Sequence, residues 1–362
     1  MHTQSKFRLL VVRLGAMGDI LHALPAVTAL RQAHPGWLID WVVEPRWRAL
    51  LAADGSAGRQ TGLNSFNQNP AQPIVDQIHL APTRDWRKDP LSGKTRHEIK
   101  SLRQALREAD YDTVIDLQGA IRSAVVGRMA GCQRLIGEAE PRERAARWLF
   151  TEQVETHGDH VIEQDIELAS AVAGDDLKPV APWLPVDTAA EKWVNGILPH
   201  DVSQPSVLIN PGAGWGAKRW PVERYAAVAQ GLIDRGFRVL VNAGPGEVPL
   251  AEAIVQTAGA ATPLQCSLEQ LIALTRRITV AIAGDTGPLH LACALGRPVV
   301  GIYGPTDPSR NGPFGTRFKV LRSPDSRRDH TRHATPEAGL LTISPEDVLA
   351  ATDELLAPEN VR

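Results

Sequence analysis

Three cysteines, Cys132, Cys266 and Cys293, are scattered through the 362 residues, with neither a CxxC pair nor a histidine at ligand spacing. That excludes a disulfide framework and a cysteine metal site, and leaves small core residues of a reducing compartment. No apolar run approaches the ~18–20 residues of a membrane span. The first residues lead into a strand-like segment without the pattern of a signal peptide, so a cytosolic protein is expected. Neither sign of charge dominates: a formal net charge of −2 gives no reason to expect nucleic acid as a partner. No glycine loop closes on Lys-Ser/Thr as a Walker A loop does, and no turn carries a complete GxGxxG. Asp285-Thr286-Gly287 has no second Asp-Thr/Ser-Gly, so an aspartic-protease dyad is excluded.

What is present is a rhythm of strands and helices. Hydrophobic residues make up 43%, enough for real cores, and the length fits two domains. In the first half, Phe7–Arg13, Trp37–Val43, Thr113–Leu117 and Gln133–Gly137 read as strands, with helices over Asp19–Gln32, from about 120 to 130, and over His157–Val172. In the second half, Ser206–Asn210, Phe237–Val241, Thr279–Ala283 and Val299–Tyr303 are strands; Pro221–Arg235, Glu247–Thr257, Leu268–Arg277, Leu289–Leu295 and Pro345–Leu356 are helices. Such alternation means parallel sheets with helices on both faces. The polar stretches 52–73 and 323–338 read as loops, and 175–204, with Pro179, Pro182, Pro185 and Pro199, as the domain linker. The divisions expected are 1–185, 186–340, and a terminal helix in 341–362 that could pack back on the first domain.

The chemistry collects at strand ends, where open α/β sheets bind ligands. Ala283-Gly284-Asp285-Thr286-Gly287-Pro288 leaves a strand and opens a helix, with Thr286 placed to cap it. A helix start of this kind offers N–H groups and a positive dipole end to a diphosphate. A matching unit near the N-terminus, Leu14-Gly15-Ala16-Met17-Gly18-Asp19, ends on a carboxylate that serves either as a general base or as the cap of its helix. Asp40 and Glu44 are weak candidates for a ribose-binding acid, so a dinucleotide site fits poorly. After Asn210, Pro211-Gly212-Ala213-Gly214 and Lys218-Arg219 supply close backbone approach and a cation for a diphosphate, or only a solvated basic pair. Glu247, after Gly244-Pro245-Gly246, could accept from ribose hydroxyls or start its helix. Asp110-Tyr111-Asp112 precedes a strand, away from the ligand-binding ends, and reads as a solvated turn rather than a metal-binding DxD. Thr83–Lys88 and Glu140–Phe150 mix arginines with aromatics and suit an anionic acceptor, a membrane surface, or plain solvent.

Taken together, Met17–Pro25, Val114–Gly119, Lys218–Pro221, Gly284–Ala292 and Tyr303–Pro308 resemble glycosyltransferase family 9, the ADP-heptose lipopolysaccharide heptosyltransferases, from Leu9 to about Pro308. The basic run Arg84–Lys88 looks more like the heptosyltransferase I branch than the heptosyltransferase II branch. The resemblance implies a GT-B fold, two Rossmann-like doubly wound parallel-sheet domains facing a central cleft. It implies inverting, metal-independent transfer of L-glycero-D-manno-heptose from ADP-heptose to a Kdo residue of Kdo-lipid A, with no cofactor. Asp19 and Lys218 would then be catalytic. The nucleotide sugar would meet Ala213, Gly214, Lys218, Glu247, Cys266, Asp285, Thr286, Gly287 and His290; the acceptor would meet Gly18, Arg84, Lys88, Gln118, Arg142 and Arg144. Peripheral contact with the cytoplasmic face of the inner membrane is compatible with this. Another family 9 transferase, a sugar-nucleotide 2-epimerase of the same fold and a non-catalytic nucleotide-sugar binder are the other readings.

Overall fold

A computed structural model describes residues 6–53, 69–199, 204–244, 246–327 and 334–357. The central parts of the loops expected at 52–73 and 323–338 therefore lie outside the described residues. The chain divides into two compact units, Met1–Asp187 and Thr188–Arg362.

The first unit runs β1 (Arg8–Val12), α1 (Met17–Ala33), β2 (Leu38–Val43), β3 (Gln77–Leu80), α2 (Thr83–Lys88), α3 (Gly93–Glu108), β4 (Thr113–Asp116), α4 (Ile121–Met129), β5 (Leu135–Glu138), β6 (Glu152–Val154) and α5 (Val161–Ala173). Its sheet is wholly parallel in the order β3-β2-β1-β4-β5-β6. Leu9 to Val12 are all buried, as a strand covered on both faces demands. Leu10, Val12, Val42 and Val114 meet Leu102 and Leu106 of α3 and Ala124 and Val126 of α4 on one face. Helices α1 and α5 pack against each other.

The second unit runs α6 (Thr188–Ile197), β7 (Ser206–Asn210), α7 (Val222–Asp234), β8 (Arg238–Asn242), α8 (Val248–Ala258), β9 (Thr262–Leu264), α9 (Leu268–Thr275), β10 (Val280–Gly284), α10 (Gly287–Ala294), β11 (Val299–Tyr303), α11 (Pro308–Asn311), β12 (Phe318–Arg322) and α12 (Pro345–Leu356). Its parallel sheet has the order β12-β11-β10-β7-β8-β9. Counted from its own first strand, that is the same doubly wound order as in the first unit, with the switch point between β7 and β10.

Two expectations are corrected. The stretch 175–204 is not all linker, because α6 occupies Thr188–Ile197 and packs on α9. Its buried Ala190 and Val194 sit four residues apart, on one helical face, and the nearby prolines precede or follow it. The terminal helix α12 belongs to the second unit: Val348, Ala351 and Leu355 fill the same core cluster as Leu232 of α7 and Ile302 of β11.

Two of the carboxyls buried inside the first unit are pushed upward by burial. Burial raises Asp116 to about 6, against hydrogen bonds from Ser123, Gly119 and Gln118 and the charge of Arg13. Burial raises Asp165, on α5, to about 7; Arg13 opposes this, while Asp19, Glu138 and Asp116 add to it. Both bind a proton more tightly in the folded chain than at the ordinary value of 3.8. Between those values the folded state holds more protons, so on their account stability is full at low pH and declines as pH rises to about 7. Asp165→Asn should therefore raise the thermal midpoint at pH 8 and leave it nearly unchanged at pH 4.5. Equal gains at both pH values, by scanning calorimetry, would contradict the assignment.

Candidate active site

In both units the candidate side chains gather at the carboxyl ends of the strands. In the first, Asp19 is the third residue of α1. Its Oδ2 accepts the Ala16 N–H at 3.0 Å, while Oδ1 faces Arg13 Nη2 at 3.8 Å. Arg13, itself buried, also donates from Nε to the Asp19 carbonyl at 3.1 Å, and its own carbonyl accepts Trp41 Nε1–H at 3.0 Å. The capping contact therefore does not exclude a second role for the carboxylate. One carboxylate oxygen fixes the helix start, and the side chain keeps 29% of its exposure.

Beside it, the end of β4 is held open by hydrogen bonds. Asp116 Oδ1 accepts the Gln118 and Gly119 N–H groups at 2.8 and 2.9 Å, and Gln118 Oε1 accepts the Leu14 N–H at 2.8 Å. Gln118 is thereby fixed with its amide nitrogen left for other partners. Gly119 has φ +62°, and a Cβ there would come within 3.0 Å of the Arg142 backbone nitrogen. That close approach sets the exposed Arg142 and Arg144 beside the strand end. At the ends of β2 and β3, Glu44 accepts from the Thr83 hydroxyl and from the Arg84 N–H. Partial burial and then the charge of Arg84 lower the pKa of Arg46, which Glu44 raises. Arg46 is therefore a second cation beside Arg84. Lys88 stands apart, exposed and paired with Asp85 at 2.8 Å.

In the second unit, Lys218 hydrogen-bonds Asp285 through Oδ2, and His290 Nε2 lies 3.2 Å from Asp285 Oδ1. Lys218 Nζ also sits 4.3 Å from the centre of the Trp215 ring. Burial alone would raise the Asp285 pKa, but the His290 hydrogen bond and the charge of Lys218 hold it well below the usual carboxylate range. Lys218, not the exposed Arg219, is thus the cation at this strand end. Trp220, next in sequence, is a core residue that donates to the Ile343 carbonyl at 3.1 Å. Thr286 occupies the N-cap position of α10 but does not cap it; its hydroxyl donates to the Gly284 carbonyl at 3.2 Å. The uncapped helix start suits an external anion.

Glu247 draws two glycine loops together. It accepts the Gly244 N–H at 3.0 Å, and its carboxylate lies so close to Gly212 that no Cβ would fit there. Its side chain does not cap α8. Next to it, Asn242 donates to Asn210 Oδ1 at 3.0 Å and accepts the Cys266 N–H at 3.2 Å, tying together the ends of β7, β8 and β9. Ala213 is buried at this loop, Gly214 is exposed, and burial pushes the Cys266 thiol up to about 12, so it stays neutral. Asp112 accepts the Arg8 N–H at 2.7 Å, at the amino ends of the strands, as a turn residue does. Among the described residues no group of three or more His, Cys, Asp or Glu side chains is arranged to hold a metal ion, and no helix is long and apolar enough to cross a membrane.

The sequence profile of glycosyltransferase family 9 (heptosyltransferase) matches residues 99–340. Lipopolysaccharide heptosyltransferase 1 of Escherichia coli K12 is 31% identical over 323 residues, covering 88% of this chain and 94% of the relative. Two of the similar solved structures are of one E. coli enzyme. E. coli heptosyltransferase WaaC with ADP has a TM-score of 0.77 at 27% identity, covering 96% of this chain and 100% of that one. The same enzyme with ADP-2-deoxy-2-fluoro heptose has a TM-score of 0.74 at 27% identity, covering 96% and 99%.

Proposed function

The chain belongs to glycosyltransferase family 9, the heptosyltransferases, and from that premise we propose that it transfers L-glycero-D-manno-heptose from ADP-heptose to a Kdo hydroxyl of Kdo-lipid A. Transfer inverts the anomeric centre and uses neither metal nor cofactor. The observation that carries this reading is the Lys218–Asp285–His290 cluster beside the uncapped start of α10.

The reading divides the labour. The second unit takes the donor: Lys218 and the first turn of α10 meet the diphosphate, Glu247 the ribose, and the Asn242–Cys266 edge the base. Asp285, kept anionic, accepts from sugar hydroxyls and orients Lys218. The first unit takes the acceptor, whose negative charge suits Arg46, Arg84, Arg142 and Arg144. Asp19 accepts the proton of the attacking hydroxyl as its oxygen bonds the anomeric carbon. The bond from that carbon to the β-phosphate oxygen breaks, and its electron pair leaves on ADP, where Lys218 and the helix dipole stabilise the charge.

ADP release should require both ADP-heptose and Kdo₂-lipid A and should persist in excess EDTA. Release restored only by Mg²⁺ or Mn²⁺ would refute metal independence. Donor turnover without acceptor would favour an epimerase, and tight ADP-heptose binding without turnover a non-catalytic binder.

A further inference from the structure

We propose that the outer face of the α3–α4 layer of the first unit docks on an anionic lipid bilayer. This rests on the reading above only in that a lipid-borne acceptor brings the protein to a membrane. Helices α3 and α4 and the short turn Arg144–Leu149 cover one face of the sheet, burying Leu102, Leu106, Ala124, Val126 and Ala146. What they bury on one side they leave apolar and basic on the other.

The charge is concentrated there. Helix α3 carries five cations and two acids; α4 and the Arg144–Leu149 turn carry two cations each and no acid. The whole chain, by contrast, has a net charge of −2. Lys100 and Arg103 of α3, Arg122 and Arg128 of α4, and Arg147 are all exposed. Among these cations stand large apolar side chains with no core to fill: Leu91 is 75% exposed, Trp148 73%, Ile121 44% and Val125 43%. The Arg147 guanidinium lies 4.7 Å from the centre of the Trp148 ring. Exposed apolar side chains and exposed cations of α4 and the Arg144–Leu149 turn thus share one layer. A bilayer surface uses both features, as the indole sits at the headgroup level and the cations meet anionic lipid.

The face is also continuous with the acceptor side. The Glu143 carboxylate accepts the Ile121 N–H at 2.8 Å, and the Glu143 N–H donates to the Gly119 carbonyl at 2.9 Å. The segment that carries Arg142 thus anchors the start of α4. A protein seated on this face holds that segment at the membrane surface, where a lipid-anchored sugar is presented.

The test is co-sedimentation of the purified full chain with vesicles of phosphatidylcholine alone or with phosphatidylglycerol added, both free of acceptor. Wild type should bind the anionic vesicles and lose binding in high salt. Lys100→Glu with Arg103→Glu should weaken binding at least about tenfold, each cation near an anionic surface contributing several-fold. Trp148→Ser should weaken it severalfold with less dependence on salt. All three proteins should turn over a water-soluble Kdo acceptor alike, because none of these residues belongs to the active site. Wild-type binding absent, or unchanged in both variants, would overturn the proposal. So would binding that appears only when Kdo₂-lipid A is present, which would make the acceptor the occupant. Loss on charge reversal alone, with Trp148→Ser bound as wild type, would mark a general polyanion surface and equally overturn it. Failure of wild type on the soluble acceptor would instead count against the proposed function and leave the vesicle result standing.

Discussion

Asp19→Ala is expected to lower kcat at least about a hundredfold, the usual scale for a positioned base, while ADP-heptose binding stays near wild type. Asp19 belongs to the first unit, and Lys218, Glu247 and Asp285, the residues proposed to hold the donor, all belong to the second. The substitution also removes the acceptor of the Ala16 N–H and the partner of Arg13, so part of the loss could be a loosened helix start. Asp19→Asn separates the two effects. The amide oxygen can still accept the Ala16 N–H, but the group cannot take a proton at neutral pH. The Asp19→Asn variant should therefore restore the thermal midpoint without restoring the rate. Equal activity of that variant and wild type would remove Asp19 from proton transfer and leave it a cap.

Lys218→Ala is the second large effect. The free protein already pairs Lys218 with Asp285, which is buried and anionic. Taking away the cation does more than delete a donor to the diphosphate. It leaves the Asp285 charge uncompensated beside the site an anionic ligand must enter. ADP affinity should fall by at least about tenfold and kcat by about 10²–10³, the range for a lost charge-stabilising donor. The double variant Lys218→Ala with Asp285→Asn should bind ADP more tightly than Lys218→Ala alone, because the repulsion is gone; such non-additivity marks residues in contact. Strictly additive losses by calorimetry would mean that the pair is not coupled.

The sequence makes some elements easy to read and others opaque, for identifiable reasons. Ser206–Asn210 and Val299–Tyr303 are buried strands built around short apolar runs, and α12 is announced by Ser344, the cap of a serine-proline-acid helix start. Strands β3, β6, β9 and β12 escape the sequence reading because they lie at or next to sheet edges and are short or half-exposed. Gln77–Leu80 has no clean alternation. Helix α3 is hidden by its own surface, with cations outnumbering the few apolar residues that hold it down.

The candidate site divides in the same way. Asp19, Lys218, Asp285 and His290 are legible because each follows an apolar run and a glycine turn. That Lys218 rather than Arg219 faces Asp285, and that Thr286 turns back to Gly284 rather than capping α10, depends on backbone angles that side-chain identity does not fix. Arg13, Arg46 and Asp165 give no signal. Arg13 sits inside a strand-like run, Arg46 in the short 3-10 turn Pro45–Leu50, and Asp165 on a helix whose place beside β4 and β5 only the packing decides.

The most direct measurement is the NMR spectrum of the product made from ADP-heptose and a Kdo acceptor by the purified wild-type chain. The account predicts one new glycosidic linkage between heptose and Kdo, its anomeric configuration opposite to that of the donor, formed in step with ADP. A linkage of retained configuration would contradict the single displacement assisted by Asp19, and consumption of ADP-heptose without any linkage to Kdo would contradict the transferase itself.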